Sequence, residues 1–298
     1  MIKLFKTNNL TAGESISLAK EIVTIGISDT PLTSLILAKG MTEKANGSVH
    51  TWREKSYSND ADVSVVEGND NPTFYQSGRA EMSNVLEIFQ KGVSVSGTAN
   101  AINVQGQGNI FSSEVVDRLT EVKVNIEKQV TKGVKNDGSA TPFIRRMAGL
   151  ETFADPANLV TGAVGGLITE ANIKATVKTL WNQGLPSGEY FGLVNADIKE
   201  QIDALYKGSY TYSQTNVFGI IVDVIRTNYG NLNLLLSRHA SINKLTIFDA
   251  SALSLAFLRE AQFEALAKTG DSVKGQVIAE GTLKVASKKA VAQFTLTA

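Results

Sequence analysis

The chain has 298 residues, 29 basic against 29 acidic, a formal net charge of zero, no cysteine and two histidines. Without cysteine there is no disulfide framework, no Cys-based zinc site and no thiol nucleophile. The balanced charge argues against tight electrostatic binding of nucleic acid by the whole chain, because that affinity comes from phosphates neutralised by Lys and Arg. With 19% charged and 43% hydrophobic residues the composition is not that of a disordered chain. The most apolar runs, at 219–222 and 234–236, are far shorter than the ~20 residues a bilayer span needs.

Residues 1–10 lack the apolar core of a signal peptide, so a cytosolic origin is expected. Residues 1–45 read as an extended or lightly helical arm. An amphipathic stretch at 15–25 carries Ile16, Ala19, Ile22 and Val23, and it breaks before Pro31, which pushes Thr30 out of the α region. Leu32, Leu35, Ile36 and Leu37 form an apolar cluster behind the break. Residues 46–98 read as an out-and-back β excursion. It begins at the turn Asn46-Gly47, goes out through 49–57, passes the polar stretch 58–62, and returns through 85–90 and 93–96. It has too few apolar residues for a core of its own, so it is expected to lie on something else.

The clearest predicted helix covers 112–133. Ser112 or Ser113 can cap it, and Glu114 and Arg118 form an i,i+4 pair. Val115, Leu119, Val122, Ile126 and Val130 make one apolar stripe, and Gly133 ends the rod. Beyond a Gly/Asn/Ser-rich connection the pattern turns α/β. Helices are predicted at 169–183, capped by Thr169 and with Ile173, Val177, Leu180 and Trp181 on one face, and at 195–207, with Ile198, Ile202, Leu205 and Tyr206. Strands are predicted at 189–194, 245–249 and 253–258, and a hairpin joins 217–226 to 232–238 around Asn228-Tyr229-Gly230-Asn231. A short helix at 263–268 and a final hairpin, 276–285 with 291–296 turned at 287–290, complete the chain.

No catalytic constellation emerges. His50 and His239 are isolated and form no metal-ligand pattern, and no Gly-x-Ser-x-Gly elbow occurs. The carboxylate pairs Asp60/Asp62 and Glu67/Asp70 lie in polar loops. Gly106-Gln107-Gly108 lacks the third glycine of a dinucleotide fingerprint, and 162–166 lacks the Lys-Ser/Thr of a phosphate loop. Basic positions (Arg145-Arg146, Lys288-Lys289, Lys128 and Lys132) are not interleaved with aromatics as single-strand binders require, so a solvated face or an inter-subunit ion pair is the default. What stands out is architectural: segments that cannot bury themselves and so point to burial against other chains.

The order of parts resembles the major capsid proteins of tailed bacteriophages with the Hong Kong 97 type fold, and more specifically the SU10-type major head protein family. The residues that carry the resemblance are Asp29-Thr30-Pro31-Leu32, Trp52 with Glu54, Glu67-Gly68, Val93-Ser94-Val95-Ser96-Gly97-Thr98-Ala99, and 121–133. Arg145-Arg146-Met147-Ala148-Gly149-Leu150, 266–271 and 280–285 complete the set. The resemblance implies an α+β fold with an N-terminal arm (1–45), an E-loop (46–98), a first P-domain part with the spine helix (99–140, helix 112–133), an A-domain (141–265) and C-terminal P-domain strands (266–298). It implies a virion protein assembled in the bacterial host cytoplasm, with no cofactor. Hexamers and pentamers would close an icosahedral shell around double-stranded DNA, touched weakly and without sequence preference. A portal protein and scaffolding or decoration proteins would be further partners. Trp52, Arg53, Glu54, Lys55, Glu67, Arg145 and Arg146 are the residues expected at the assembly interface. With some 45 residues before the E-loop, a separate scaffolding protein or none, and little processing, is expected. Some relatives lock the shell with isopeptide bonds; for Lys55 a plain salt bridge is the expectation. The alternatives are an encapsulin-like nanocompartment shell and a soluble α/β enzyme with a site built from distant residues.

Overall fold

A computed structural model of the chain describes residues 29–57, 63–101, 109–184, 189–207, 212–217, 220–268 and 270–297. The stretch 15–25, the Asp60/Asp62 pair and Gly106-Gln107-Gly108 lie outside the described residues. The chain forms two compact units. One takes in Gln90–Val122 and Ala261–Ile278; the other takes in Asp29–Phe89, Lys123–Glu260 and Ala279–Ala298.

In the larger unit, Pro31 opens helix α1 (Pro31–Ala38) at its first turn, where a missing N–H is no loss. Leu32, Leu35 and Ile36 are buried, while Leu37 is exposed. The end of the expected arm is therefore folded: α1 is followed by strand β1 (Thr42–Lys44). Strands β2 (Val49–Ser56) and β3 (Gly78–Val85) pair antiparallel as an isolated ribbon, from Val49 opposite Val85 to Ser56 opposite Gly78. The return strand of the excursion is thus 78–85. Of the segments expected to return it, 85–90 and 93–96, Val85 ends β3, and 87–90 and 93–96 lie in one strand, β4 (Glu87–Ser96), of another sheet.

After α2 (Gly97–Ala101) comes the long helix α3 (Ile110–Lys132). It starts two residues before the predicted Ser112. Asn109 caps it, its Oδ1 accepting from Ser112 N at 3.1 Å. The predicted stripe holds: Val122, Ile126 and Val130 are buried. The chain then runs through β5 (Leu159–Val164), α4 (Glu170–Asn182), β6 (Glu189–Val194), α5 (Ala196–Tyr206), β7 (Tyr212–Val217), β8 (Ile220–Thr227), β9 (Gly230–Leu236), β10 (Lys244–Phe248), β11 (Leu253–Ala265), β12 (Ser272–Val285) and β13 (Val291–Thr297). Thr169 caps α4 as predicted, accepting from Asn172 N. The hairpin joining β8 to β9 turns on Asn228-Tyr229, between Thr227 and Gly230, and β7, not foreseen, adds antiparallel to β8.

Seven strands form a mixed sheet in the order β5-β13-β10-β6-β9-β8-β7. Alternation along β6 sends Tyr190 and Val194 to the face covered by α4 and α5. There they meet Ile173, Val177 and Leu180 of α4 and Ile198, Ile202 and Tyr206 of α5. Trp181 and Leu205, expected on those faces, are exposed. A second sheet has the order β1-β11-β12-β4.

Two expectations fail near the C-terminus. Residues 263–268, Phe-Glu-Ala-Leu-Ala-Lys, have helix-forming composition, yet β11 runs through Ala265; pairing with neighbouring strands overrides propensity. The strands 276–285 and 291–296 exist but are not a hairpin. Ser287 caps a 3₁₀ turn through Lys289 N, and the chain passes from β12 in the second sheet to β13 in the seven-stranded one. Alternation reports which face a strand buries, not which strand it pairs with. Sheet membership accordingly cuts across the expected boundary at 265/266. β13 lies between β5 and β10, among the strands expected for the A-domain, while β11 belongs to the second sheet.

In the smaller unit, Arg118 on α3 donates to Glu114 at 2.9 Å and to Glu121, and Lys91 of β4 reaches Glu121 at 3.3 Å. Phe111 meets Phe263 edge-on at 5.9 Å.

Candidate assembly interface

The β2–β3 ribbon is anchored at its base and bare at its tip. Trp52, opposite Met82, is buried and lies 6.3 Å from the ring of Phe153. Glu54, two residues on and so on the same face, accepts a 2.7 Å hydrogen bond from Ser287. Arg53 and Lys55 occupy the opposite face, opposite Glu81 and Arg79, and are exposed. Lys55 Nζ sits 5.3 Å over the Tyr57 ring, and among the described residues it has no carboxylate partner.

Beyond the ribbon, residues 63–77 have no regular structure. Asn69 N donates to Val66 O at 3.2 Å, closing a turn that needs Gly68 at φ 81°, and Glu67 is exposed in that turn. The tip is apolar and uncovered: Phe74 is 90% exposed, Val66 82%, and Val63 and Val65 are nearly as open. Each such side chain gains roughly 1.5–3 kcal/mol when taken out of water. A run of them on a protruding ribbon marks a surface that another molecule covers.

Arg145 and Arg146 have partners of their own. Arg145 pairs with Glu280 at 2.8 Å, and Glu280, itself buried, also receives Arg259 at 3.2 Å. The Arg146 backbone pairs in both directions with Asn136 at 2.9 Å while its side chain is exposed. Its charge favours ionised Glu87, but burial dominates and raises the Glu87 carboxyl above its ordinary value. Of the seven predicted interface residues, Trp52, Glu54 and Arg145 therefore have partners in their own chain, and Arg53, Lys55, Glu67 and Arg146 face outward. The apolar tip residues were not singled out from the sequence. The available signal was Val63 to Val66 and Phe74-Tyr75 inside a polar stretch with no periodicity to bury them.

A cavity of about 250 Å³ lies beside β1, lined by Glu43, Ser254 and Lys284 among others. Lys284 Nζ donates to Glu43 at 2.6 Å, and Ser254 Oγ donates to the same carboxylate at 3.0 Å. Burial raises the Glu43 carboxyl, but the hydrogen bonds from Lys284 and Ser254 outweigh it and bring it below its ordinary value. An ionised, paired carboxylate of this kind is a strut rather than an acid–base catalyst. Among the described residues no group of His, Asp and Glu could hold a metal ion, and no helix is long and apolar enough to cross a membrane.

Solved structures share this architecture from end to end. The capsid of a native GTA particle superposes with TM-score 0.69 at 9% identity, over 95% of both chains. The capsid of cyanophage A-1(L) gives 0.67 at 12% identity, over 97% of this chain and 98% of its own. The SrpI encapsulin of Synechococcus elongatus PCC 7942 gives 0.64 at 12%, over 99% and 96%. The fold is thus the α+β shell fold of the Hong Kong 97 type. The chain belongs to the SU10 major capsid protein family, whose model matches residues 5–298. It is a structural protein of the tailed-phage virion that assembles with copies of itself, and not an enzyme. No curated protein matches its sequence.

Proposed function

We propose that the subunits form hexamers and pentamers that close an icosahedral shell around double-stranded DNA, with the tip of the β2–β3 ribbon lying over a neighbouring subunit. The observation that carries this reading is the tip itself. Phe74, Val66, Val63 and Val65 are exposed at the end of a ribbon whose base is locked by Trp52 and Glu54. A rigid base and a bare apolar end suit a clasp, because the ordering cost at the base is met within the subunit and the apolar gain is left for assembly. A portal protein at one vertex, and scaffolding or decoration proteins, are the further partners of this reading. Deleting residues 58–72 is expected to leave a soluble subunit that forms no closed shells by electron microscopy; normal particles from the deletion would overturn the clasp.

The likeness to the SrpI encapsulin favours a second reading, a shell around protein cargo. Nuclease-protected DNA in purified particles separates the two: its presence supports the first, and cargo protein without DNA supports the second.

A further inference from the structure

A chain with zero net charge can meet a polyanion only through a local patch, and three segments of the larger unit assemble one. Glu127, fully buried on α3, accepts from Leu32 N at 3.0 Å and Thr33 N at 2.7 Å, which seats the start of α1 on the long helix. Three residues before Leu32, Asp29 meets Arg238 Nε at 3.5 Å. The turn that carries Arg238 and His239 is thereby brought to the same stretch of α3. That turn is itself pinned: His239 N donates to Ser237 Oγ at 3.2 Å, Asn195 Nδ2 to Ala240 O at 3.1 Å, and Ser241 N to Glu151 at 2.9 Å.

On α3, Lys128 and Lys132 lie one turn apart, both exposed, and neither has an ion-pair partner among the described residues. Burial, then Lys132 and Lys128, hold His239 below its ordinary value, against the opposing pull of Asp29. That places Lys128, Lys132 and Asp29 around the imidazole of the residue next to Arg238. The helix dipole accounts for one cation in the last turn, Lys132; it does not account for Lys128 or for Arg238, which is 67% exposed.

We propose that Lys128, Lys132 and Arg238 form the patch through which the inner face of the shell meets the phosphates of packaged duplex DNA, which makes this side of the chain the inward one. The inference rests on the capsid reading above and deepens it. The chemistry favours a duplex backbone. The cations stand on fixed elements, and the ring among them, the His239 imidazole, is half-buried rather than laid open as a stacking platform, so the patch offers charge without base readout. Three cations against one carboxylate hold phosphate only loosely, and a shell repeats the patch once per subunit, so loose contacts add up along the DNA.

The test is salt-dependent binding of a short labelled DNA duplex to the full-length chain held unassembled. Each phosphate contact contributes about 0.9 to the slope of log affinity against log salt. K128Q/K132Q is expected to flatten that slope by about 2, while K178Q/K207Q, which removes the same charge from α4 and the end of α5, leaves it unchanged. Equal slopes for the two double variants would overturn the patch. So would tighter binding of an acidic peptide than of the duplex, which would assign the patch to a protein partner. Electron microscopy separates the two levels. Wild-type chains that form no shells sink the capsid reading; shells from K128Q/K132Q with an unchanged slope sink only the patch.

Discussion

The helix-covered face of the seven-stranded sheet and the irregular segments around the C-terminal half of α3 are both buried, yet they are held by different means. On the sheet, regular elements satisfy their own backbones, and what remains is apolar packing of Tyr190, Val194, Leu232 and Leu245 against α4 and α5. Around α3, non-repetitive backbone is taken out of water, and single side chains from distant parts of the chain satisfy it. Asn84 Nδ2 donates to Ala148 O at 3.0 Å and Leu283 O at 2.7 Å, while its Oδ1 accepts from Ala148 N at 2.9 Å. Glu87 accepts from Met147 N at 3.1 Å, and Glu127 from the start of α1. Buried peptide groups without partners are costly, so these clamps are obligatory where no ladder is available.

The two modes predict opposite tolerance to substitution. Asn84→Leu keeps the volume and removes every hydrogen bond of the clamp, stranding both peptide groups of the buried Ala148. A loss of about 3–5 kcal/mol is expected in urea unfolding of the soluble subunit, enough to abolish folding in a marginal background. A loss below about 1 kcal/mol would show that the segment finds other partners. On the sheet, Leu245→Ala is expected to cost about 2–5 kcal/mol, yet Leu245→Met less than about 1.5, because packing there asks for volume and not for a particular atom. If Leu245→Met proved as damaging as Leu245→Ala, the contrast between the regions would collapse. Gly149→Ala tests the clamped region by sterics. Gly149 N donates to Gly133 O at 2.8 Å, and a methyl group there would run into the backbone at the end of α3, so a loss of about 1–3 kcal/mol is expected.

The same contrast governs what was legible in the sequence. The stripe from Val115 to Val130, the cap at Thr169 and the bounds of β6 follow from local periodicity and capping, and the structure keeps them. The return strand 78–85 was not legible, because Gly-Arg-Ala-Glu-Met-Ser-Asn-Val has neither alternation nor β-branched density; its register is set by β2 and by the Asn84 clamp. The false C-terminal hairpin had correct strands and a wrong pairing, since nothing local to 276–296 encodes which sheet receives each strand. Of the predicted interface, Trp52 and Arg145 are distinctive in the sequence, but a local pattern does not carry the intrachain partners, Phe153 and Glu280, that the fold gives them. The exposed Phe74 and Val66 carry no motif, only an absence of periodic company.

The smallest effect expected is a slope with pH at Glu127. Burial raises its carboxyl above the ordinary 4.5, although hydrogen bonds from Thr33 and Leu32 favour the ionised form. The folded chain therefore holds this proton more tightly than the unfolded chain. Its contribution to stability is fully present below the ordinary carboxylate value and is lost as pH rises through the raised folded value. Glu87 shifts in the same direction, so the wild-type curve alone would not isolate Glu127. The difference between wild type and Glu127→Gln does, because the amide keeps an oxygen acceptor for one α1 donor and cannot titrate. Relative to the variant, wild type is expected to lose stability steadily from the acid end toward neutrality, read as the urea midpoint of the soluble subunit. Parallel curves would mean that the folded and unfolded chains hold this proton equally, the hydrogen bonds from α1 cancelling the burial; a wild type that instead gains stability toward neutrality would mean that those bonds prevail and the clamp is a charged one.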